Sequence, residues 1–312
     1  MDELANKALL GSVMLLCSGL PMCLYFYVLC SVYKTAHKYN TFILIFSHGV
    51  ADMCVLIQIL WLSLEIICGQ LVPVPDRINN YILRVSFKTA QLNFILIALN
   101  RAHSILSPLT YTRIWTRKFS IGSVLFCWSC VIIVYFYIYI INSFTDIPML
   151  LHSIDKLGFT QKYTTSQTPS QVDRYLYLGV ILASMAVYTL ALLKLFWEWL
   201  NHFKRSTNVL PVSKCEAGER IRLFFVCFLS SIPFAFVYFL AYNIPHSNTN
   251  TWSFMITILH SFVYSCNAYV LIGLSKLVRK NLPFLPAFAR RSLGITSIRV
   301  QNSISVTKPT VP

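Results

Sequence analysis

Seven long apolar stretches dominate the sequence and constrain its fold more than any other feature. They cover about residues 8–33, 41–67, 81–105, 119–141, 175–199, 219–242 and 252–274. A helix needs about 20 apolar residues to cross the ~30 Å hydrocarbon core of a bilayer, and each stretch meets that length. The runs are continuous, whereas the strands of a membrane barrel alternate between apolar and polar residues. The sequence therefore predicts an all-α fold, a seven-transmembrane helix bundle.

The composition excludes the main soluble classes. Hydrophobic residues make up 56% of the chain and charged residues only 12%, about half the share found in soluble domains. The net charge of +15 raises the question of nucleic-acid binding. However, the basic residues form short clusters between the apolar stretches rather than a spread over a hydrated surface. A soluble enzyme, a disordered chain and a nucleic-acid-binding domain are therefore excluded.

The basic residues also predict the orientation in the membrane. Most of the 26 Lys and Arg residues lie in alternate connections and after the last apolar stretch. Basic connections stay in the cytoplasm, so the N terminus is predicted outside and the C terminus inside. Residues 1–282 form the predicted membrane domain, which ends in a short amphipathic helix at 274–282. Residues 283–312 are predicted to form a partly disordered cytoplasmic tail.

Asp52 is the clearest candidate for a functional residue within the membrane. It lies near the middle of the second stretch, where an ionisable side chain is costly and is by default interpreted as functional. One interpretation is a polar switch or ion site that Asp52 shares with Asn267 of the seventh stretch. The other is a structural hydrogen bond between helices. The two interpretations do not exclude each other.

A polar stripe marks the third stretch. Arg84, Lys88 and Gln91 are spaced by three or four residues, so they share one face of a helix. The stripe suggests a ligand cavity that favours a polar or anionic group, with Glu65 or Asp52 as a partner of Lys88. In the alternative interpretation, Arg84 and Lys88 extend to the membrane surface, where their charges are hydrated.

The later stretches contribute further candidates for a ligand site. His260 and Tyr264 lie four residues apart and deeper than the aromatic belt expected at a membrane surface. Tyr238 of the sixth stretch is the third candidate. These three side chains are the candidates for a ligand pocket in the later stretches.

Arg101 follows Asn100 at the end of the third stretch. An arginine there could contact a cytoplasmic partner or hold neighbouring helix ends together. It could also be one more basic residue of the cytoplasmic side. Position alone does not separate these interpretations.

Catalytic signals are missing from the sequence. The seven His residues are scattered without the spacing of a zinc site. The chain also lacks the GxSxG, HExxH and phosphate-binding loop motifs. We therefore predict no enzymatic activity, no cofactor and no metal.

Two segments resemble a known family. The segment LNRAHSILSPLTYTRIW at 99–115 and the segment SCNAYVL at 265–271 resemble the nematode serpentine chemoreceptors of the Srg superfamily, with class V favoured over class gamma. These are seven-transmembrane G-protein-coupled receptors. The resemblance implies a receptor in the plasma membrane of sensory neurons. It would bind a small environmental chemical and activate a heterotrimeric G protein.

The resemblance also implies roles for single residues. Arg101 would match the arginine that controls G-protein engagement, and Asp52 the polar switch of the second span. Asn267 and Tyr269 would match the polar pair of the seventh span. Trp115 would lie at the face that meets the G protein.

The sequence departs from the wider receptor class in three ways. Asn100 stands where an acid usually precedes the arginine, which removes an ionic lock. Ala268 stands where a proline is expected after Asn267. The disulfide between the third span and the second outer loop is missing, since neither 81–88 nor 142–174 contains Cys.

Two other functions fit parts of the same pattern. In a small-solute transporter or channel, Asp52, Lys88 and Arg84 would line the solute pathway. In a membrane-embedded enzyme, scattered His and Asp side chains would bind a metal. Solute flux and metal analysis would distinguish these from a receptor.

Overall fold

The computed structural model describes residues 2–70, 76–142, 149–155, 157–162, 168–204, 211–243 and 250–282. Within these ranges, seven long helices form the bundle. They are α1 (Asp2–Ala36), α2 (Thr41–Cys68), α3 (Asp76–Leu106), α5 (Arg117–Asn142), α6 (Thr168–Lys204), α7 (Pro211–Asn243) and α8 (Asn250–Leu274). Two short helices, α4 (Pro108–Ile114) and α9 (Lys276–Asn281), and two strands, β1 (Met149–Ser153) and β2 (Gly158–Lys162), complete the described part.

The apolar stretches explain why these helices form. A backbone in a bilayer has no water to bond to, so a helix that satisfies its own N–H and C=O groups is required. Among the described residues, six helices are long and apolar enough to cross a membrane, and α7 contributes a shorter apolar segment, Phe224–Val237. Pro21 and Pro233 lie inside α1 and α7. The helix α2 ends at Gly69, whose φ of 66° is left-handed, a conformation that glycine adopts without a steric penalty.

Helix α3 lies inside the bundle, where it contacts α2, α5, α6 and α7. Helix α8 closes the bundle by packing on α1, α2 and α7. The outer surface is apolar, as shown by Leu20, Leu125 and Phe126, which are 69%, 60% and 71% exposed. Polar side chains instead lie inside, including Asp52 and Arg101. An apolar exterior around a partly polar interior is the arrangement expected for a protein surrounded by lipid.

The sequence did not predict the β-hairpin. Strands β1 and β2 pair antiparallel, from Met149 opposite Lys162 to Ser153 opposite Gly158. The hairpin packs on α3 through β1 and on α8 through β2. We call this end of the bundle the hairpin end, and the opposite end the Arg101 end.

Two short helices follow long helices of the bundle. Helix α4 follows directly after α3 at the Arg101 end, and the sequence analysis predicted no helix there. Helix α9 follows α8 at Lys276–Asn281, within the range predicted for a short amphipathic helix. It packs on α1, and Ser31 donates a hydrogen bond to the Val278 carbonyl at 2.6 Å. The predicted tail at 283–312 lies outside the described residues.

Candidate functional site

Asp52 belongs to a polar network that joins α1, α2 and α8. The Tyr25 hydroxyl donates a hydrogen bond to Asp52 Oδ2 at 2.6 Å and accepts one from Asn267 Nδ2 at 3.2 Å. His48, one turn before Asp52, places Nε2 at 3.5 Å from the same carboxylate oxygen. All four side chains are buried. The structure thus brings the predicted pair of Asp52 and Asn267 together, with Tyr25 as the connecting group.

A small cavity lies beside this network. It is bordered by His48, Asn267 and Cys227, and its water-accessible space is about 10 Å³. That is about the space of one water molecule. Oδ1 of Asp52 and Nδ1 of His48 have no hydrogen-bond partner among the described residues. The network therefore retains polar atoms that can accept or donate further bonds near the middle of the bundle.

Arg101 is also buried, with 2% of its surface exposed. Its guanidinium lies near the Cys227 thiol of α7 and the Tyr188 hydroxyl of α6. Within the described part of the chain, Nε and Nη2 of Arg101 and the Tyr188 hydroxyl have no hydrogen-bond partner. Arg101 therefore lies close to α6 and α7, and its guanidinium is incompletely hydrogen-bonded.

Asn100 faces the opposite way from Arg101, toward α2 and α4. Its Oδ1 accepts a hydrogen bond from the Thr41 hydroxyl at 3.1 Å, and its Nδ2 donates to the Tyr111 hydroxyl at 3.5 Å. The Thr41 and Tyr111 hydroxyls are themselves 2.9 Å apart. Asn100 thus holds α4 against α2 with neutral hydrogen bonds.

Trp115 is not presented at the surface of the Arg101 end. Only 7% of it is exposed. Its Nε1 donates to His103 Nδ1 at 3.0 Å, and its carbonyl accepts from Asn40 Nδ2 at 2.9 Å. Trp115 anchors the end of α4, so an effect of this residue on a partner would be indirect. Leu109 is one of several exposed side chains of α4, at 86%.

Three basic side chains bond the carbonyl ends of helices at the Arg101 end. Arg117 donates to the Ala36 and His37 carbonyls of the α1 end at 3.2 and 3.1 Å. Lys194 of α6 donates to the Ile105 carbonyl at 2.9 Å and also to the Leu106 carbonyl, which lie at the end of α3. Arg279 of α9 donates to the Ile272 carbonyl at 2.8 Å and to the Gly273 carbonyl. Carbonyls at a helix end lack partners within the helix, and a cation there also offsets the helix dipole.

Tyr269 does not join Asn267 in the network. It is 43% exposed, whereas Asn267 is 8% exposed. Residues two apart on a helix face different directions, so these two side chains point to different surroundings. The expected seventh-span pair is therefore separated in the structure.

An aromatic cluster lies between the hairpin and the Asp52 network. It consists of Phe87 and Phe94 of α3, Tyr177 of α6, Phe234 of α7, and His260 and Tyr264 of α8. The Phe87 ring packs edge-on against His260 and Tyr264, with centroids 5.9 and 5.4 Å apart. The Phe234 ring stacks between Tyr177 and Phe94, at 5.7 and 5.8 Å. His260 and Tyr264, predicted as pocket residues, are thus joined to three other helices.

The remaining predicted ligand residues have different surroundings. Gln91 is 2% exposed, and Glu65 is 2% exposed and accepts a hydrogen bond from Trp61 Nε1 at 2.9 Å. Arg84 and Lys88 are half-buried, and each interacts with other groups of the protein. The side chain of Tyr238 lies outside the described residues.

The tip of the hairpin is anchored on α1, α2 and α8. Leu157 is 5% exposed and packs with Met14, Leu62 and Ile66. Asp155 accepts from Lys7 Nζ at 3.2 Å. Gly158 lies so close to α8 that a Cβ atom there would approach the Ser253 carbonyl to 2.8 Å. The hairpin thus spans the hairpin end from α3 to α8.

Sequence reasoning missed Tyr25, Leu109 and Leu157. Tyr25 lies in an apolar stretch that carries no charge, so nothing distinguishes it from an aromatic residue in contact with lipid. Leu109 and Leu157 lie in connections, where spacing gives no sign of exposure or burial. A Tyr inside a span is the only signal among these that points to a buried polar partner.

The arrangement of the helices is similar to that in a protein of known structure. The fold is similar to that in the crystal structure of squid rhodopsin, with a TM-score of 0.69 and 12% sequence identity, over 89% of this chain and 84% of that chain. No curated protein matches the chain in sequence. The fold is that of a seven-transmembrane bundle like rhodopsin, which confirms the predicted fold class.

A family match is more specific. The model of the serpentine-type 7TM GPCR chemoreceptors, Srx, matches residues 15–274. The chain therefore belongs to the Srx family of serpentine chemoreceptors, and it is a multi-pass, G-protein-coupled chemosensory receptor of the membrane. The predicted function is confirmed at this level. The matching family is Srx, and the match does not confirm the Srg superfamily or class V.

Proposed function

We propose that this receptor binds a small environmental chemical at the hairpin end, outside the cell, and engages a heterotrimeric G protein at the Arg101 end. The distribution of charge supports this orientation. Exposed basic side chains gather at the Arg101 end: Lys34, Lys38, Arg113, Arg117, Lys118 and Lys280. Basic segments remain in the cytoplasm during insertion, so this end would face the cell interior.

The buried, incompletely bonded Arg101 is the observation that carries the coupling proposal. An ionised side chain inside a bundle is costly when its hydrogen bonds are not all made. A conformation that supplies the missing partners to Nε and Nη2 would therefore be stabilised. The Tyr188 hydroxyl, also without a partner among the described residues, is one group that could supply such a bond.

Helices α6 and α7 are the elements that could change position around Arg101. They contact each other less than α6 contacts α3 or α7 contacts α8. A ligand would shift the bundle only if it bound one arrangement more tightly than the other. The aromatic cluster includes both Tyr177 of α6 and Phe234 of α7. A ligand bound against it would therefore affect the same two helices that contact Arg101.

The proposed ligand site lies beneath the hairpin, with Phe87, His260 and Tyr264 as its wall. Arg84, Lys88 and Gln91 remain candidates on α3, as do Glu65 on α2 and Tyr238 on α7. The Asp52 network lies between this site and the Arg101 end. We propose that it responds to the same change in helix packing, as the sequence suggested for a polar switch.

Guanine-nucleotide exchange by a heterotrimeric G protein tests the coupling. The receptor would be expressed in cells and assayed without ligand and against a panel of small odorants. We expect Arg101→Ala to abolish exchange at matched surface level. Lys34→Ala removes an exposed basic side chain of α1, which packs on α2, α8 and α9; it serves as the matched control and should retain exchange. Equal exchange by the Arg101 variant and the unaltered receptor would contradict the assignment.

The remaining parts of the proposal follow from the resemblance found in the sequence. They are the location in sensory neurons and the placement in the Srg superfamily. The transporter alternative is not favoured, because both the family match and the rhodopsin-like fold belong to receptors. Solute flux in proteoliposomes without any G protein would reopen it.

A further inference from the structure

Gln91 lies on the same face of α3 as two members of the aromatic cluster. Phe87, Gln91 and Phe94 are spaced by four and three residues, so they share one helix face. Phe87 packs on Tyr264, and Phe94 packs on Phe234. Gln91 therefore faces α7 and α8 between these two rings.

The carbonyl oxygen of Gln91 is a buried acceptor without a hydrogen bond. The residue is 2% exposed, and Oε1 has no hydrogen-bond partner in the part of the chain that the structure describes. A buried acceptor that makes no bond costs free energy, and a bound donor would remove that cost. The position of Gln91 thus favours a ligand that brings an O–H or N–H group.

His260 offers a second acceptor at the same cluster. Its Nδ1 lies 2.8 Å from the Ile256 carbonyl. A carbonyl only accepts, so Nδ1 must carry the hydrogen of that bond. In a neutral imidazole the other nitrogen, Nε2, is then an acceptor. His260 and Gln91 both lie within reach of the Phe87 ring, one by ring contact and one by position on α3.

The accessible part of the cluster is formed by aromatic rings. Phe87, Tyr177 and His260 are half-buried, whereas Tyr264 and Phe234 are buried. The accessible rings can pack on a flat apolar molecule, since aromatic pairs gain from edge-on and offset contacts. The buried rings form the floor beneath it.

The basic residues of α3 do not favour an anion as strongly as the sequence suggested. Arg84 and Lys88 each already interact with other groups of the protein. An anionic ligand would have to compete with those interactions. A neutral ligand with a donor group would instead meet Gln91 Oε1, an acceptor without a hydrogen-bond partner among the described residues.

We propose that the ligand of this receptor is a small neutral aromatic molecule with a hydrogen-bond donor, such as a phenol or an indole. Its ring would pack on Phe87 and His260, and its donor would bond Gln91 Oε1 or His260 Nε2. This inference rests on the proposed function for the location of the site. It adds the chemical class of the ligand.

Binding of three probes that share one benzene ring tests the proposal: phenol, anisole and benzoate. Phenol has a donor, anisole has the same ring with the donor methylated, and benzoate is an anion. Binding would be measured by ligand-observed nuclear magnetic resonance on the receptor in nanodiscs, with the signal of empty nanodiscs subtracted. We expect phenol to bind at least about tenfold more tightly than anisole, the effect of one hydrogen bond to a buried acceptor. Anisole binding as tightly as phenol, benzoate binding more tightly, or no binding by any probe would overturn the proposal.

Two variants locate the donor contact. Gln91→Leu and His260→Phe keep an apolar side chain in place while removing an acceptor. One or both should reduce the preference for phenol over anisole while anisole binding persists. Gln58→Leu is the matched control, since Gln58 of α2 is also buried with Oε1 unbonded among the described residues but lies on a helix outside the cluster. An unchanged preference in both cluster variants would place the site elsewhere and overturn the proposal. If a variant does not fold, the probe series on the unaltered receptor still decides.

The probe series also separates this proposal from the proposed function. Probe binding needs no G protein, whereas nucleotide exchange does. A clear preference for phenol in a receptor that never promotes exchange would support the ligand class and contradict the coupling. Exchange that depends on Arg101, in a receptor without the phenol preference, would support the coupling and overturn the ligand class.

Discussion

The hydroxyl of Tyr25 in α1 donates a 2.6 Å hydrogen bond to Asp52 in α2, and accepts one from Asn267 in α8. One tyrosine hydroxyl thus joins the two neighbouring helices α1 and α2 to α8, which is far away in sequence. In a low-dielectric interior such bonds are strong, and a carboxylate that loses one of them is poorly solvated. The stability of the bundle therefore depends on the hydrogen bonds that Asp52 makes in this network.

Tyr25→Phe is expected to destabilise the receptor. The change keeps the ring but removes the donor to Asp52 and the acceptor for Asn267, so two buried polar groups lose their partner. The expected loss is about 1–2 kcal/mol, read as a lower midpoint of thermal unfolding in detergent. Tyr137→Phe is the matched control, since Tyr137 of α5 is 64% exposed and should leave the midpoint unchanged. Equal midpoints for the two variants would show that the network contributes little to stability.

Lys194→Met should loosen the contact between α3 and α6. The methionine keeps the length and apolar stem but cannot bond the Ile105 and Leu106 carbonyls. Loss of a cation at a helix end costs about 0.3–2 kcal/mol. The effect would be measured as a lower unfolding midpoint and as faster hydrogen exchange in the last turn of α3. Lys194→Arg retains a donor and should restore most of the difference, whereas an arginine variant as unstable as the methionine variant would argue against the bond.

Gly158→Ala should displace the hairpin from α8. The added methyl would approach both the Ser253 carbonyl and the Thr257 hydroxyl oxygen to 2.8 Å, and backbone atoms cannot move aside cheaply. We expect hydrogen exchange of the hairpin to rise by about tenfold or more, because the local opening free energy falls by at least about 1.4 kcal/mol. Gly179→Ala on α6, where an added Cβ would meet nothing within 4 Å, should leave the exchange of the hairpin unchanged. Equal exchange in both variants would show that the hairpin does not depend on this close approach.

Leu109→Asp should weaken coupling without affecting the fold. Leu109 is 86% exposed on α4, so the aspartate disturbs no internal packing. If a G protein covers this end, the variant replaces an apolar contact with a charged side chain. Nucleotide exchange by the G protein should then fall by about tenfold or more. The unfolding midpoint should stay the same. Normal nucleotide exchange by the G protein with this variant would exclude Leu109 from the coupling surface.

The sequence predicted the parts of the fold that depend on apolar length and on charge. Seven runs of sufficient length predicted seven helices. Asp52 and Asn267 were expected to share a site or a hydrogen bond, because a polar group inside a membrane is costly without a partner. Tyr25 could not be predicted, because an apolar helix without charge gives no sign of which face is buried. The hairpin was missed because strand alternation is hard to recognise in a polar connection. The resemblance paired Tyr269 with Asn267, and helix geometry separates the two side chains.

The connection from Tyr25 to Asn267 also has a consequence for synthesis of the chain. The two residues are 242 positions apart, and among the described residues α8 is the last long helix to leave the ribosome. Tyr25 and Asp52 are both made early, but the third member of the network arrives only when the bundle is nearly complete. The polar contacts of α1 are therefore complete only when Asn267 of α8 donates its hydrogen bond to Tyr25. A receptor released before α8 is made would lack the residue that completes them.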